Sequence, residues 1–213
     1  MQLIIFGAPG VGKGTQAKII ASQLKIAHIS TGDILRDAIK KETELGIKAK
    51  AIVEKGELVP DDIMAGIITD TLKEDRCKNG FILDGFPRTI AQAMLLDSIF
   101  QELNLKNLFI IKLNVDDKII IDRLSNRLVC SKCGFIIIKD IYQTPFECSN
   151  CKSIDSYYKR KDDDEEVITR RLKVYHDTTS PVFDYYTKKL QVIEVDGTKN
   201  IENVTKSILE KLS

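Results

Sequence analysis

The chain has 213 residues, 43% of them apolar, and 32 basic against 31 acidic side chains leave a formal charge of +1. That length can bury a core as one domain with insertions or as two small ones, and the balanced charge argues against a nucleic-acid footprint. No apolar run reaches the ~18 residues of a membrane span, and the first residues enter a strand pattern with no charged leader, so the expectation is a cytoplasmic protein without a membrane partner.

The apolar run 3–6 leads into Gly7-Ala8-Pro9-Gly10-Val11-Gly12-Lys13-Gly14-Thr15, and a helical pattern follows from Gln16. Strand, glycine-rich turn and helix are the context of a phosphate-binding loop. Glycines let backbone N–H groups turn inward on an anion, the helix N-terminus adds its positive end, and Lys13 supplies a full charge. An ordinary βα turn does not call for four glycines in eight residues with a Lys in register. The hydroxyl of Thr15 follows Lys13 by two positions rather than one, so a metal here is expected to be held mainly by phosphates and water.

A weaker strand reads at 27–29, with His28 as a structural residue, and 30–59 reads as helical with no strand. Ser30-Thr31-Gly32-Asp33 is a turn feeding a helix that carries Arg36, free to face solvent or a phosphate. Gly56 suits a turn, and Pro60-Asp61-Asp62 suits a helix start. The run 81–83 ends in Asp84-Gly85-Phe86-Pro87-Arg88. An apolar strand ending in Asp is what a phosphate-loop fold uses for Mg²⁺, directly or through water. Thr89 and Gln92 have capping-box spacing, and the helix runs to about Leu103; Gln92 serves either that box or a base.

Further strands read at 108–113 and 192–195, and Val204, Ile208 and Leu212 recur at helical spacing. The strand runs are continuous rather than alternating, as in a parallel sheet buried on both faces. The pattern predicts a doubly wound α/β core with a five-stranded parallel sheet, interrupted by 30–59 and by 127–163. The second interruption holds Cys130-x₂-Cys133 and, after fourteen residues, Cys148-x₂-Cys151. Two such knuckles in an intracellular chain, where disulfides are a poor reading, point to a structural Zn²⁺ site over free or redox-active thiols. Cys77 stands apart and reads as incidental.

These motifs together resemble the adenylate kinases, specifically the long-lid form: the glycine-rich loop, His28-Ile29-Ser30-Thr31-Gly32-Asp33, and Asp84-Gly85-Phe86-Pro87-Arg88-Thr89. Asp122-Arg123, Arg127, Arg160-Lys161-Asp162-Asp163, Arg171-Leu172 and Val195-Asp196-Gly197-Thr198 agree, so the likeness runs from residue 3 to about 200. The resemblance implies phosphoryl transfer from ATP to AMP giving two ADP, with Mg²⁺, in a monomer. It implies a core of 1–29, 60–126 and 164–213, a nucleoside monophosphate insertion at 30–59 and a zinc lid at 127–163. ATP is expected against Gly10, Val11, Gly12, Lys13, Gly14, Thr15, Arg123, Arg127, Ile136, Ile137 and Lys199. AMP is expected against Thr31, Arg36, Glu57, Leu58, Val59, Gly85, Phe86, Pro87, Arg88 and Gln92, with Arg160 and Arg171 reaching the transferring phosphates. Asp84 is expected near Mg²⁺, and Lys13, Arg88, Arg123, Arg127, Arg160 and Arg171 are the expected catalytic cations.

Six of the eight arginines fall in this set, and phosphoryl transfer depends on placed charge more than on covalent help. Arg76 and Arg170 read as surface residues, and Asp162 and Asp163 match a family pair without an assigned role. Ile136 and Ile137 stand where a hydroxyl or Tyr is commoner, and the tandem prolines usual after them reduce to Pro145, so lid contacts to the ATP base are expected to be apolar or through backbone. The rival readings are another nucleotide pair (a UMP or CMP acceptor, a GTP donor) and a nucleic-acid binder with a zinc ribbon. The near-zero charge and the lack of a basic aromatic stripe argue against the last.

Overall fold

The computed structural model describes residues 1–139 and 147–212, so Pro145 lies outside the described residues. In chain order the first half holds β1 (Gln2–Phe6), α1 (Lys13–Leu24), β2 (Ala27–Ser30), α2 (Thr31–Lys40), α3 (Glu44–Glu54), α4 (Asp61–Leu72), β3 (Phe81–Asp84), α5 (Ile90–Glu102) and β4 (Leu108–Asn114). The second half holds α6 (Asp117–Ser125), β5 (Arg127–Cys130), β6 (Ile136–Ile138), β7 (Tyr157–Tyr158), α7 (Glu165–Val174), a π-helical turn at Tyr175–Thr179, α8 (Ser180–Thr187), β8 (Gln191–Asp196) and α9 (Ile201–Leu212).

Five strands form the central sheet in the order β2-β3-β1-β4-β8, with every neighbouring pair parallel. Each runs within a residue or two of its expected bounds, and the reason is visible in the packing. Successive side chains of a strand point to opposite faces. Leu3 and Ile5 pack into the layer holding Ala17 and Ile20 of α1 and Val204 and Ile208 of α9. Ile4 and Phe6 pack into the other layer, with Leu96 of α5 and Val182 and Phe183 of α8. Both faces are covered, which is why the runs carry no polar alternation.

Two interruptions lie beside this core. Ser30 closes β2 and caps α2 by accepting from the Asp33 amide at 3.2 Å, and Thr43 caps α3 by accepting from the Gly46 amide at 3.1 Å. β6, β5 and β7 form a separate antiparallel sheet in that order. The thiol of Cys77 is buried and donates to the Thr71 carbonyl at 3.2 Å. Among the described residues no helix is long and apolar enough to cross a membrane.

The central sheet sets global stability. Ile4 is 0% exposed and Ile47 is 67% exposed. Ile4→Ala should cost about 2–5 kcal/mol and Ile47→Ala no more than about 0.5 kcal/mol in chemical denaturation. Equal losses from the two would contradict this placement of the core.

Candidate active site

Parallel strands deliver their carboxyl ends to one edge, and the chemistry gathers there. Ile5 pairs with Asp84 across β1 and β3, so the glycine-rich turn after β1 and the acid ending β3 are neighbours. Gly14 backs onto that acid closely enough that a Cβ would lie 3.2 Å from Asp84 Oδ2. Gly12 caps α1 with φ 108°, a left-handed conformation in which glycine carries no side-chain penalty. The first turn of α1 then offers its free N–H groups towards the loop, with Thr15 half-buried inside it. His28 lies beside the same acid, its Nε2 3.8 Å from Asp84 Oδ2.

The Lys13 ammonium donates to the Gly7 carbonyl at 2.7 Å and the Ala8 carbonyl at 2.9 Å. Burial pushes its pKa down to about 8, resisted by Asp84 and reinforced by Arg88, Arg171 and Arg127. Those guanidiniums converge from three separate parts of the chain. Arg88 donates through Nε to the Gly85 carbonyl at 2.7 Å, and burial followed by the nearby Arg171 pushes it down to about 10. Arg160 is pushed down to about 10 by burial and then by Arg36 and Arg127, and its buried Nε has no hydrogen-bond partner among the described residues. These groups stay charged at neutral pH, and their mutual repulsion marks a site arranged for an anion.

Carboxylates keep the cations in place. Arg127 forms a two-pronged pair with Asp163, Nε to Oδ2 at 2.7 Å and Nη2 to Oδ1 at 2.5 Å. Arg171 donates to the Asp162 carbonyl at 2.8 Å and to Asp163 Oδ1 at 3.3 Å, and lies 3.0 Å from Asp162 Oδ2. Burial alone would raise the Asp162 carboxyl, but Arg171, Arg127, Arg36 and Arg160 hold it below the usual carboxylate range. Arg36 pairs with Asp33 at 2.5 Å. Asp162 and Asp163 carry no role from sequence alone: their match to a family pair and their place beside Arg160 in a charge run flag them without showing what they hold.

A cavity of about 150 Å³ opens between these cations and the helical insertion. Thr31, Arg36, Glu57, Leu58, Val59, Gly85, Phe86, Pro87, Arg88, Gln92 and Arg171 all line it, and Arg160 does not. The Thr31 hydroxyl donates to the Gly85 carbonyl at 3.0 Å, a closeness that glycine permits, since a Cβ on Gly85 (φ 86°) would lie 2.7 Å from Thr31 Oγ1. Half of the expected capping box is present: the Gln92 amide donates to Thr89 Oγ1 at 3.0 Å. The Gln92 side chain departs from the box. Its Oε1 accepts from the Arg88 amide at 2.7 Å and its Nε2 donates to Asp61 Oδ1 at 2.7 Å, while Thr89 Oγ1 donates to Asp61 Oδ2 at 3.0 Å. Asp61 therefore clamps Gln92 of this wall and Thr89 behind it, where the sequence showed only a helix start. Tyr175 and Thr179 of the π-helical turn also line the cavity, and nothing in their spacing announces it.

On the other side of the loop, Arg123 reaches from α6 to the Gly197 carbonyl at 3.0 Å and the Val11 carbonyl at 3.5 Å. Lys199 follows that turn and is exposed. Arg127 pairs with Ile138 and Val129 with Ile136, so strand alternation puts Ile136 on the Arg127 face and Ile137 on the opposite one with Leu128. The structure thus separates the two isoleucines that were read together. Arg170, read as a surface residue, donates to the Lys55 carbonyl at 3.2 Å and joins α7 to the end of α3.

The sulfurs of Cys130, Cys133, Cys148 and Cys151 lie within 4.8 Å of one another, with Cys130–Cys151 and Cys133–Cys148 both at 3.7 Å. A disulfide needs about 2.05 Å, whereas four thiolates ~2.3 Å from a tetrahedral Zn²⁺ stand about 3.8 Å apart. The two knuckles close alike. The Gly134 amide donates to the Cys130 carbonyl and the Lys152 amide to the Cys148 carbonyl, at 2.9 and 2.8 Å, and Cys130 and Cys148 donate to Phe135 and Ser153 carbonyls at 2.8 and 2.9 Å. The donor set and its spacing fit a four-coordinate metal.

The family model described as adenylate kinase matches residues 5–191. Curated relatives include an adenylate kinase of Caldicellulosiruptor bescii, 47% identical over 100% of this chain and 99% of its own length, and one of Archaeoglobus fulgidus, also 47% identical with the same coverage. An adenylate kinase of Acetivibrio thermocellus is 46% identical over 100% of this chain and 98% of its own length. With the loop, the converging cations and the four-sulfur cluster in place, the chain belongs to the adenylate kinase family.

Proposed function

We propose that the chain catalyses ATP + AMP ⇌ 2 ADP, with Mg²⁺ carried by the nucleotide, as a cytoplasmic monomer. The observation that carries this reading is the crowding of Lys13, Arg88 and Arg171, each lowered in pKa by burial and by its cationic neighbours, around a cavity that the helical insertion also lines. An AMP oxygen attacks the γ-phosphorus of ATP, the bond to the β–γ bridging oxygen breaks, and ADP leaves. The protein's part is placement: the loop from Gly10 to Thr15 holds the donor phosphates, Arg123 lies over the donor, and Arg36 and Arg88 grip the acceptor. Arg127, Arg160 and Arg171 offset charge that spreads over the transferring group. Asp84 would hold Mg²⁺, directly or through water, and the ion would offset negative charge on the donor phosphates.

For the division of labour we assign 30–59 to the acceptor, 127–163 to a lid that excludes water, and 1–29, 60–126 and 164–213 to the core. Thr31 and Gln92 would read the acceptor base, with Gln92 exchanging its Asp61 contact for one to adenine. Ile136, on the Arg127 face, supports an apolar contact to the donor base. Ile137 would contribute through its backbone, and Lys199 would lie beside that base. The four cysteines would hold Zn²⁺ as a structural ion, since all four ligand positions are filled by protein.

Arg88→Lys should lower kcat by ~10³–10⁵ with the melting curve intact, because a lysine cannot follow the phosphoryl group with a planar fork. Near-normal turnover from that folded variant would overturn the assignment.

Replacing Cys148 and Cys151 by Ser should release the metal, start proteolysis between Cys133 and Cys151 and lower the melting temperature. Activity should survive at low temperature, because Lys13 and Arg88 lie outside the lid and a lid can open as its own unit. Metal analysis of protein purified without chelator checks this. Four titratable thiols with no zinc, and a melt unmoved by chelator, would refute the structural-metal reading.

A further inference from the structure

Four thiolates around a divalent cation leave a net negative charge, and burying such a charge is costly unless hydrogen-bond donors surround it. In this lid Cys130 is 1% exposed and Cys148 0% exposed, so solvent supplies little of that help. The knuckle backbones supply part of it: amides of Lys132 and Cys133 face the Cys130 sulfur, and those of Asn150 and Cys151 face the Cys148 sulfur.

The rest comes from one short segment after the second knuckle. Ser156 Oγ lies 3.2 Å from Cys130 Sγ, and Ser153 Oγ lies 3.1 Å from Cys151 Sγ. The Tyr157 hydroxyl faces the Cys148 sulfur and is buried with no hydrogen-bond partner of good geometry among the described residues, Cys148 included. Each hydroxyl addresses a different cysteine. Ser156 is 4% exposed; its hydroxyl donates to the Ser153 carbonyl at 3.2 Å and accepts from the Cys130 thiol. With a metal bound, Cys130 would be a thiolate, a stronger acceptor than the carbonyl, and would turn the Ser156 O–H onto itself.

Resting on the reading of this cluster as a metal site, we propose that Ser153, Ser156 and Tyr157 are positioning residues for the metal, turning three hydroxyls onto three different thiolates. Their hydrogen bonds orient the sulfurs and spread their charge, as outer groups do around other metal sites.

The test titrates Zn²⁺ and Co²⁺ into the full chain against a competing colorimetric chelator, using Tyr157→Phe, Ser156→Ala and Ser153→Ala. Each variant should bind one ion per chain with Kd raised about 10–100-fold. The sulfur-to-cobalt charge-transfer band should move to longer wavelength, because a thiolate without its donor gives up charge more readily. Ser156→Thr should restore both readouts, and melting of the metal-free proteins should not differ. Wild-type affinity and an unmoved band in all three variants would overturn the hydroxyl shell while leaving the metal site standing. A wild-type chain that takes up neither ion would overturn both.

Discussion

Asp163 is 0% exposed and accepts from both Arg127 and Arg171, and the active edge depends on that arrangement. Removing a carboxylate from water costs several kcal/mol, offset only when several well-placed donors meet it. Here two forks meet one acid, and Asp162 receives a third contact from Arg171. The pairing does more than neutralise. It fixes two guanidiniums that approach from different elements, β5 and α7, and of the two Arg171 lines the cavity. A cluster of unpaired arginines would repel itself apart, and one fully paired would have nothing left for a phosphate. The ratio of cations to acids leaves a positive surplus, with Arg160 the buried cation whose Nε stands unpartnered among the described residues.

The parallel sheet makes this possible without long-range design of any single loop. Because β1 and β3 are neighbours and parallel, the glycine-rich turn and Asp84 arrive side by side as a consequence of register. Gln16 then ties the loop's helix to the end of the chain, donating to the Ile201 carbonyl at 3.0 Å and accepting from Thr205 at 2.7 Å. The loop's helix is thus tied into the core, and in the proposed division of labour the two interruptions address nucleotides and shed water. Catalysis of this type needs such a division, since preorganised charge is effective only where it does not rearrange during the reaction.

Much of this is legible in the residues themselves. Continuous apolar runs marked the five strands because both sheet faces are buried, and the spacing of Gly, Lys and Cys marked the loop and the four-sulfur cluster because those geometries tolerate few other residues. What stayed hidden depends on contacts between distant segments. Asp61 looked like a helix-start acid because its partners, Thr89 and Gln92, are 28 and 31 residues away. Asp162 and Asp163 sat in a charge run whose partners only the fold selects. Ile136 and Ile137 were indistinguishable until the register of a three-residue strand set which one shares the Arg127 face. The π-helical turn at Tyr175–Thr179 leaves no local signal, since its hydrogen bonding depends on how α7 meets α8.

The central claim is that this charge array transfers a phosphoryl group between adenine nucleotides. ADP formation from Mg·ATP, measured in parallel with AMP, CMP, UMP and GMP as acceptors, tests it most directly. The account predicts two ADP for each ATP consumed with AMP, and kcat/KM for AMP well above that for the other three. Faster turnover with a pyrimidine or guanine acceptor, or no ADP with AMP, would contradict it.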